Sequence, residues 1–397
     1  MSTFGPVAQP PRPPSVPPPY GSYQPWEQKH NRHVLLPVLG LLALAIPALI
    51  VLGFLRSSIG TAPVLVGTTA AVLPVLLVVT TFLWVDRWEP EPSAMLLAAF
   101  LWGAGVSVLG AGLVNDTAVL LGDHILGKGG GDKIGALISA PIIEEAFKGA
   151  FVLGLAWWRR REFDGVVDGI VYAGLVAAGF AFIENILYFG RAFATDGLVG
   201  EAGGVIAVFV LRGVLSPFAH PLFTAMIGIG VGVAVRRRSP TAMVVLPLAG
   251  YLAAVLLHAM WNASAGLGLL PFVYFVIMVP LFACLVGLVV WQRRREQRVV
   301  TAQLPGFAQV GWIAPSEVPL LASLDGRKEW RAAVRARAGV RAAEAVRHYQ
   351  DAVTELAFLQ DRMQRGAVGL DADRWHQETL AAVLAARERA VRAPFNR

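Results

Sequence analysis

The chain of 397 residues is poor in charge and almost free of cysteine. Only 15% of its residues are Asp, Glu, Lys or Arg, against 55% hydrophobic ones, and its mean hydropathy is +0.58. Soluble domains carry roughly 25% charge and 45–50% apolar residues, so an ordinary soluble domain is excluded. The single cysteine, Cys284, excludes an intramolecular disulfide and a cysteine-rich metal cluster. There is no GxxxxGK[ST] phosphate loop and no HExxH motif. No repeat relates spans 1–4 to spans 5–8, which weakens a transporter built on repeated halves. The formal net charge of +7 is not a nucleic-acid signal, because 18 Lys and Arg against 12 Asp and Glu lie from Gln292 onward. No nucleic-acid partner is expected.

What the chain has is glycine, 41 residues, and tryptophan, 11 residues, both enriched in polytopic membrane proteins. Apolar runs long enough to cross a bilayer, about 17–25 residues, fall at 34–55, 62–85, 94–121, 134–158, 166–190, 203–235, 241–264 and 269–291. The expected fold is all-α and polytopic, with about eight transmembrane helices. The sixth run is too long for one upright helix and is interrupted at Ser216-Pro217, where proline frees backbone groups that only protein or trapped water can satisfy. Arginine triplets follow spans four, six and eight (residues 159–161, 236–238 and 293–295). By the positive-inside rule those ends are cytoplasmic, which predicts a multi-pass protein of the cell membrane with both termini inside. No cleavable signal peptide is expected, since the first apolar run begins near residue 34 and is too long for one.

Residues 1–33 are proline-dense and read as a disordered tail, a solvated spacer before a WW- or SH3-type ligand. Residues 34–291 form the membrane core, 292–325 a linker and 326–397 a cytoplasmic helical region. In that last region Leu and Val recur at three-and-four spacing among Arg and Glu, with a break at Gly366–Asp371. This predicts a helical hairpin, a solvated amphipathic pair before a lipid- or partner-binding one.

An ionisable residue inside a span costs about 2.5–3.5 kcal/mol on insertion scales and is a functional suspect. Glu144, Glu145, Lys148, Glu184 and Arg212 stand well inside apolar runs, joined by His220 and His258; Asp116 and Asp168 lie nearer span ends. Glu144 and Lys148 are four apart and share a helix face, whereas Glu145 is rotated by about 100°. One carboxylate can pair with Lys148 while the other faces a different partner. Glu184 lies on the face of Phe180 and Tyr188, His220 on that of Thr224, and His258 on that of Asn262. Glu184 and Arg212 can form an ion pair across spans five and six. With a rise of 1.5 Å per residue, Glu145 lies roughly 17 Å and Glu184 roughly 9 Å from the outer ends of their spans. His220 and His258 fall at a similar level. Carboxylates and imidazoles at one depth make a metal site or a general-base site. Gly174, Ala178, Gly228, Gly230 and Gly232 need no chemistry and let helices approach closely.

Glu144-Glu145-x-x-Lys148, Phe180-x-x-x-Glu184-Asn185, His220 and His258-x-x-x-Asn262 resemble the PrsW family of intramembrane metalloproteases over about residues 80–291. A related group containing CAAX-prenyl endopeptidases and bacteriocin-immunity-like proteins has His in place of Glu184, and usually Arg in place of Lys148. The resemblance implies hydrolysis of a peptide bond in a membrane-anchored protein such as an anti-sigma factor, with membrane lipids as the other partner. It implies Glu144, Glu145, His220, His258 and Asn262 as catalytic residues, supported by Lys148, Glu184, Asn185 and Phe180. Two mechanisms stay open. In one, His220, His258 and Glu184 or Glu144 hold Zn²⁺ while Glu145 takes a proton from water. In the other, Glu145 and a histidine activate water without metal, and His258 and Asn262 stabilise the oxyanion. The zinc version is favoured. An ion- or proton-coupled transporter and a catalytically inactive scaffold are the alternatives.

Overall fold

The computed structural model describes residues 35–392 except 89, 160–162, 164, 238, 367 and 369–371. The proline-dense leader lies outside the described residues. Among those described there is no strand. The membrane core runs through α1 (Leu35–Ile59), α2 (Thr61–Val85) and α3 (Ser93–Leu126), then α4 (Ala140–Trp158) and α5 (Val166–Asp196). After these come α6 (Gly204–Phe209), α7 (Ala219–Arg237), α8 (Pro240–Gly266) and α9 (Val279–Gln309). Seven helices among the described residues are long and apolar enough to cross a membrane, so the protein is a polytopic all-α membrane protein. α4 is not among the seven; its 19 residues carry Glu144, Glu145 and Lys148. α1 is apolar on all sides, and its Leu42, Leu49 and Phe54 are 58%, 66% and 64% exposed. Such a helix surface suits lipid rather than water.

α5 is the axis of the core. Its residues from Ile170 to Phe180 are buried in succession, and it packs on α2 along one side and α7 along another. Small residues make this possible. A Cβ on Gly169 would lie 2.1 Å from the carbonyl oxygen of Gly228, and one on Gly228 would lie equally close to that of Gly169. The two backbones therefore touch where α5 crosses α7. Gly174 instead makes room for the ring of Phe82 on α2. Close approach brings α5 and α7 to the separation at which long polar side chains can meet.

The interrupted sixth run is resolved by a π-helical turn, Val210–Leu215, that continues α6 and ends at Ser216. Ser216 hydroxyl and backbone N–H both return to Leu211 O, at 2.7 and 3.0 Å, so the chain break leaves that carbonyl satisfied. α7 starts three residues later with His220 in its first turn. A second π-helical turn, Gly135–Ser139, leads directly into α4.

Residues 292–325, expected as a linker, are helical to Gln309 as a continuation of α9. Val300, Leu304 and Phe307 recur at helical spacing and are buried with Ile313, Leu321, Tyr349 and Leu356, so this stretch belongs to the C-terminal body. The expected hairpin is α10 (Leu324–Gln364) against α11 (Ala372–Arg392). α10 breaks at Gly339, whose φ of 83° is left-handed and favours glycine. Trp88, from the turn after α2, is buried in this second core, with the Arg327 guanidinium 5.0 Å from its ring. That insertion ties the C-terminal body to the membrane core.

Gly169→Ala is expected to destabilise the protein by about 1–3 kcal/mol, the usual cost of overpacking. Gly40→Ala, whose Cβ would meet nothing within 4 Å, is expected not to. Thermal unfolding in detergent measures both. Asp86 lies just beyond α2; burial pushes its carboxyl up to about 7, with Asp168 adding to the rise and the N–H of Glu91 opposing it. The folded state thus holds this proton more tightly than the unfolded chain, where an Asp titrates near about 3.9. The associated stability is present below about pH 4 and is lost as pH rises to about 7. Asp86→Asn is expected to flatten that part of the curve of unfolding midpoint against pH.

Candidate active site

Lys148 has no exposed surface, yet four groups surround its ammonium. Nζ lies 2.9 Å from Glu145 Oε1, 3.4 Å from Glu144 Oε2 and 3.2 Å from His220 Nδ1, and 3.8 Å from the centroid of the Phe180 ring. The groups come from α4, α5 and α7. Lysine's i,i+3 and i,i+4 spacing to the two glutamates lets one helix supply both carboxylates, and the aromatic face adds a cation–π contact.

Glu145 is fully buried and fully engaged. Its Oε1 also meets His258 Nδ1 at 3.1 Å, and its Oε2 accepts from Thr224 Oγ1 at 2.8 Å. Glu144 is the freer of the pair. Apart from the long bond to Lys148, its Oε2 lies 3.9 Å from His258 Nε2, and its side chain retains 10% exposure. The His220 and His258 rings meet edge to face at 5.1 Å, and Phe223 stacks on His258 at 5.3 Å. These contacts fix both ring planes.

Donor chemistry assigns the tautomers. An ammonium only donates, so His220 Nδ1 accepts from Lys148 and Nε2–H donates to Glu184 Oε2 at 2.8 Å. A carboxylate only accepts, so His258 Nδ1–H donates to Glu145 and Nε2 presents its lone pair toward Glu144. Glu184 in turn is ion-paired with Arg212, as the sequence led one to expect, and Arg212 Nε donates to Asn185 Oδ1 at 2.8 Å. The Arg212 guanidinium sits 4.1 Å from the Tyr188 ring. Phe180 and Tyr188, one turn either side of Glu184, thus cover the two cations of the cluster.

Three carboxylates stand against two side-chain cations here, which leaves room for one more positive charge. One ligand atom each from Glu144, His220 and His258 lie within 4.8 Å of one another. Two imidazoles and a carboxylate form a donor set that suits catalytic zinc; His258 Nε2 has its lone pair available, and that of His220 Nδ1 is held by Lys148. The residue types fit such an ion, which would take the Nδ1 lone pair from Lys148. Glu184, by contrast, uses its facing oxygen on His220 Nε2–H and Arg212.

Asn262 does not join the cluster through any hydrogen bond; its Nδ2 donates to Ala136 O at 2.9 Å, tying α8 to the π-helical turn before α4. Three contributors escaped the reading of the sequence. Thr224 was noticed only for sharing a face with His220, yet it holds Glu145. Trp102 Nε1 and Tyr251 hydroxyl donate to Phe147 O and Ile142 O, each at 2.9 Å, and brace α4 on both sides of the glutamate pair. A single aromatic in an apolar run carries no pattern that would mark it.

Comparison with known proteins agrees with this geometry. A family model described as PrsW family intramembrane metalloprotease matches residues 91–285, a stretch containing every residue of the cluster. The chain is 31% identical over 164 residues to Protease PrsW of Bacillus subtilis (strain 168), covering 41% of this chain and 66% of that protein. It is also 31% identical over 164 residues to Protease PrsW of Geobacillus kaustophilus, covering 41% and 64%. For Protease PrsW of Clostridioides difficile it is 31% over 160 residues, covering 40% and 61%. The match thus spans just under two thirds of the length of these relatives. No solved structure matches the chain. Four polar motifs, carried on α4, α5, α7 and α8, thus converge on a single buried cluster inside the stretch that the PrsW family model matches, and over that stretch the chain is similar to the PrsW family.

Proposed function

We propose that this protein is a membrane-embedded peptidase that hydrolyses a peptide bond in a membrane-anchored protein, an anti-sigma factor being the substrate class the family resemblance implies. The arginine triplets support a place in the cell membrane with both termini cytoplasmic. The observation that carries the reading is the convergence of Glu144, Glu145, His220 and His258 at hydrogen-bonding range inside an apolar bundle. A purely structural pair with Lys148 would need only one of the two carboxylates.

The adjacent glutamates take different roles. Glu145 is saturated by Lys148, His258 and Thr224, so it orients His258 and holds its Nε2 lone pair toward the reaction space. Glu144 is the carboxylate free to accept a proton. A water donating to Glu144 Oε2 and His258 Nε2 directs its own lone pair at the scissile carbonyl carbon. Glu144 takes the proton as the C–O bond forms and returns it to the leaving amine as the C–N bond breaks. Asn262, whose amide donates to Ala136 O, contributes by tying α8 to the turn that leads into α4. In the zinc version Glu144, His220 and His258 would instead be the ligands, and the ion when bound would lower the pKa of water and polarise the carbonyl. A small cavity lined by Asn185, Arg212, Ser216, His220 and Trp261 has room for a water beside His220.

The test is cleavage of single-span reporter proteins by the purified protein in liposomes. Wild type is expected to cleave; Glu144→Gln is expected to lose about 10²–10⁴-fold in rate while keeping its unfolding midpoint. Glu145→Gln is expected to lose both activity and stability, the latter by about 3–5 kcal/mol, because a buried ion pair is broken. Activity retained in Glu144→Gln and lost in a natively stable Glu145→Gln would reverse the assignment. Cleavage lost on chelation and restored by zinc would mark the zinc version, and cleavage indifferent to the chelator the metal-free one. A folded wild type that cleaves no member of a broad reporter library would overturn the peptidase reading.

A further inference from the structure

Arg212 lies outside the motifs that mark the site, on the π-helical turn Val210–Leu215 just before the break at Ser216. Its side chain is nevertheless committed to three consecutive contacts on α5: the ion pair with Glu184, the bond from Nε to Asn185 Oδ1, and the ring of Tyr188. An ion pair that only joined two helices would need one of these. The planar guanidinium donates from Nε and Nη2 and lays its face on a ring, a geometry lysine cannot reproduce.

What lies beyond Glu184 decides the matter. The same Oε2 that Arg212 holds also accepts from His220 Nε2–H. While that bond persists, the proton of neutral His220 stays on Nε2, and the Nδ1 lone pair accepts from Lys148. Without the arginine, Glu184 loses its nearest counter-charge and the group that aims its oxygen. The imidazole could then turn away from the Lys148 ammonium and, no longer facing it, carry its proton on either nitrogen.

We infer that Arg212 is a positioning residue: acting through Glu184, it holds His220 as the Nε2–H tautomer with its Nδ1 seated on the Lys148 ammonium. The inference rests on the proposed peptidase only for its kinetic consequence. The tautomer itself is a property of the protein and can be read without any substrate.

The experiment is ¹⁵N-histidine labelling of the full-length protein in detergent, with His220→Gln identifying the His220 signals, alongside reporter cleavage in liposomes. In wild type, His220 is expected to show a protonated Nε2 and an unprotonated Nδ1. In Arg212→Gln the two shifts are expected to move toward averaged values, with cleavage down about 10–100-fold, as for other outer partners of an active-site histidine. Arg212→Lys, which keeps the charge, is expected to recover the Nε2–H tautomer in part and cleavage with it. Asn185→Ala removes only the second contact and is expected to give a smaller shift in the same direction, which keeps the inference testable if Arg212→Gln does not fold. His220 signals unchanged in a folded Arg212→Gln would overturn the inference, whether cleavage falls or not. Tautomer change with a wild type that cleaves nothing would sustain it while removing the peptidase reading.

Discussion

A charged ammonium with no access to solvent dominates the design of this protein. Burying an ion costs several kcal/mol even after relaxation, and removing one partner of a buried pair is strongly destabilising. Lys148 therefore commits the fold to bringing Glu145, Glu144, His220 and the face of Phe180 around one nitrogen. Those groups sit on three helices, and His258, held by Glu145, adds a fourth. The same compensation that makes the cluster tolerable in an apolar bundle aligns its carboxylates and imidazoles, so register and chemistry depend on one interaction.

Reaching that arrangement requires backbones closer than most side chains allow. The Gly169–Gly228 contact brings α5 against α7, and the break at Ser216 lets α7 begin afresh with His220 in its first turn. The preceding π-helical turn points Arg212 back at α5. Small residues and an interrupted helix, neither of them chemical, thus set the reach between Glu184 and His220. Trp102 and Tyr251 hold α4 from either side through its carbonyls, which keeps the glutamate pair from turning about the helix axis.

Two neighbouring glutamates, chemically identical in the sequence, end in different environments. Three donors converge on Glu145, whereas Glu144 has one long bond and a trace of exposure. A carboxylate whose acceptor sites are filled is suited to orienting a partner. One with an open edge is suited to accepting a proton. The distinction follows from a rotation of about 100° between successive helical residues and from what each face of α4 meets.

Much of this was legible beforehand because a bilayer makes polar residues conspicuous. The apolar runs announced a polytopic helical protein, and ionisable side chains within them singled out Glu144, Glu145, Lys148, Glu184, Arg212, His220 and His258. The Glu184–Arg212 pair and the break at Ser216 could be read from spacing alone. The stretch 292–309 was not recognised as part of the C-terminal body, because its buried Val300, Leu304 and Phe307 are interleaved with the charged and polar residues of a linker-like sequence. Thr224, Trp102 and Tyr251 were invisible as site residues, since a hydroxyl or indole N–H gains meaning only from the acceptor it meets. The sequence by itself determined which residues are too costly to leave unpaired in an apolar helix, because that cost is local. Which pairs with which, and which glutamate is left open, was decided only by the tertiary structure, because those distances depend on how four helices pack.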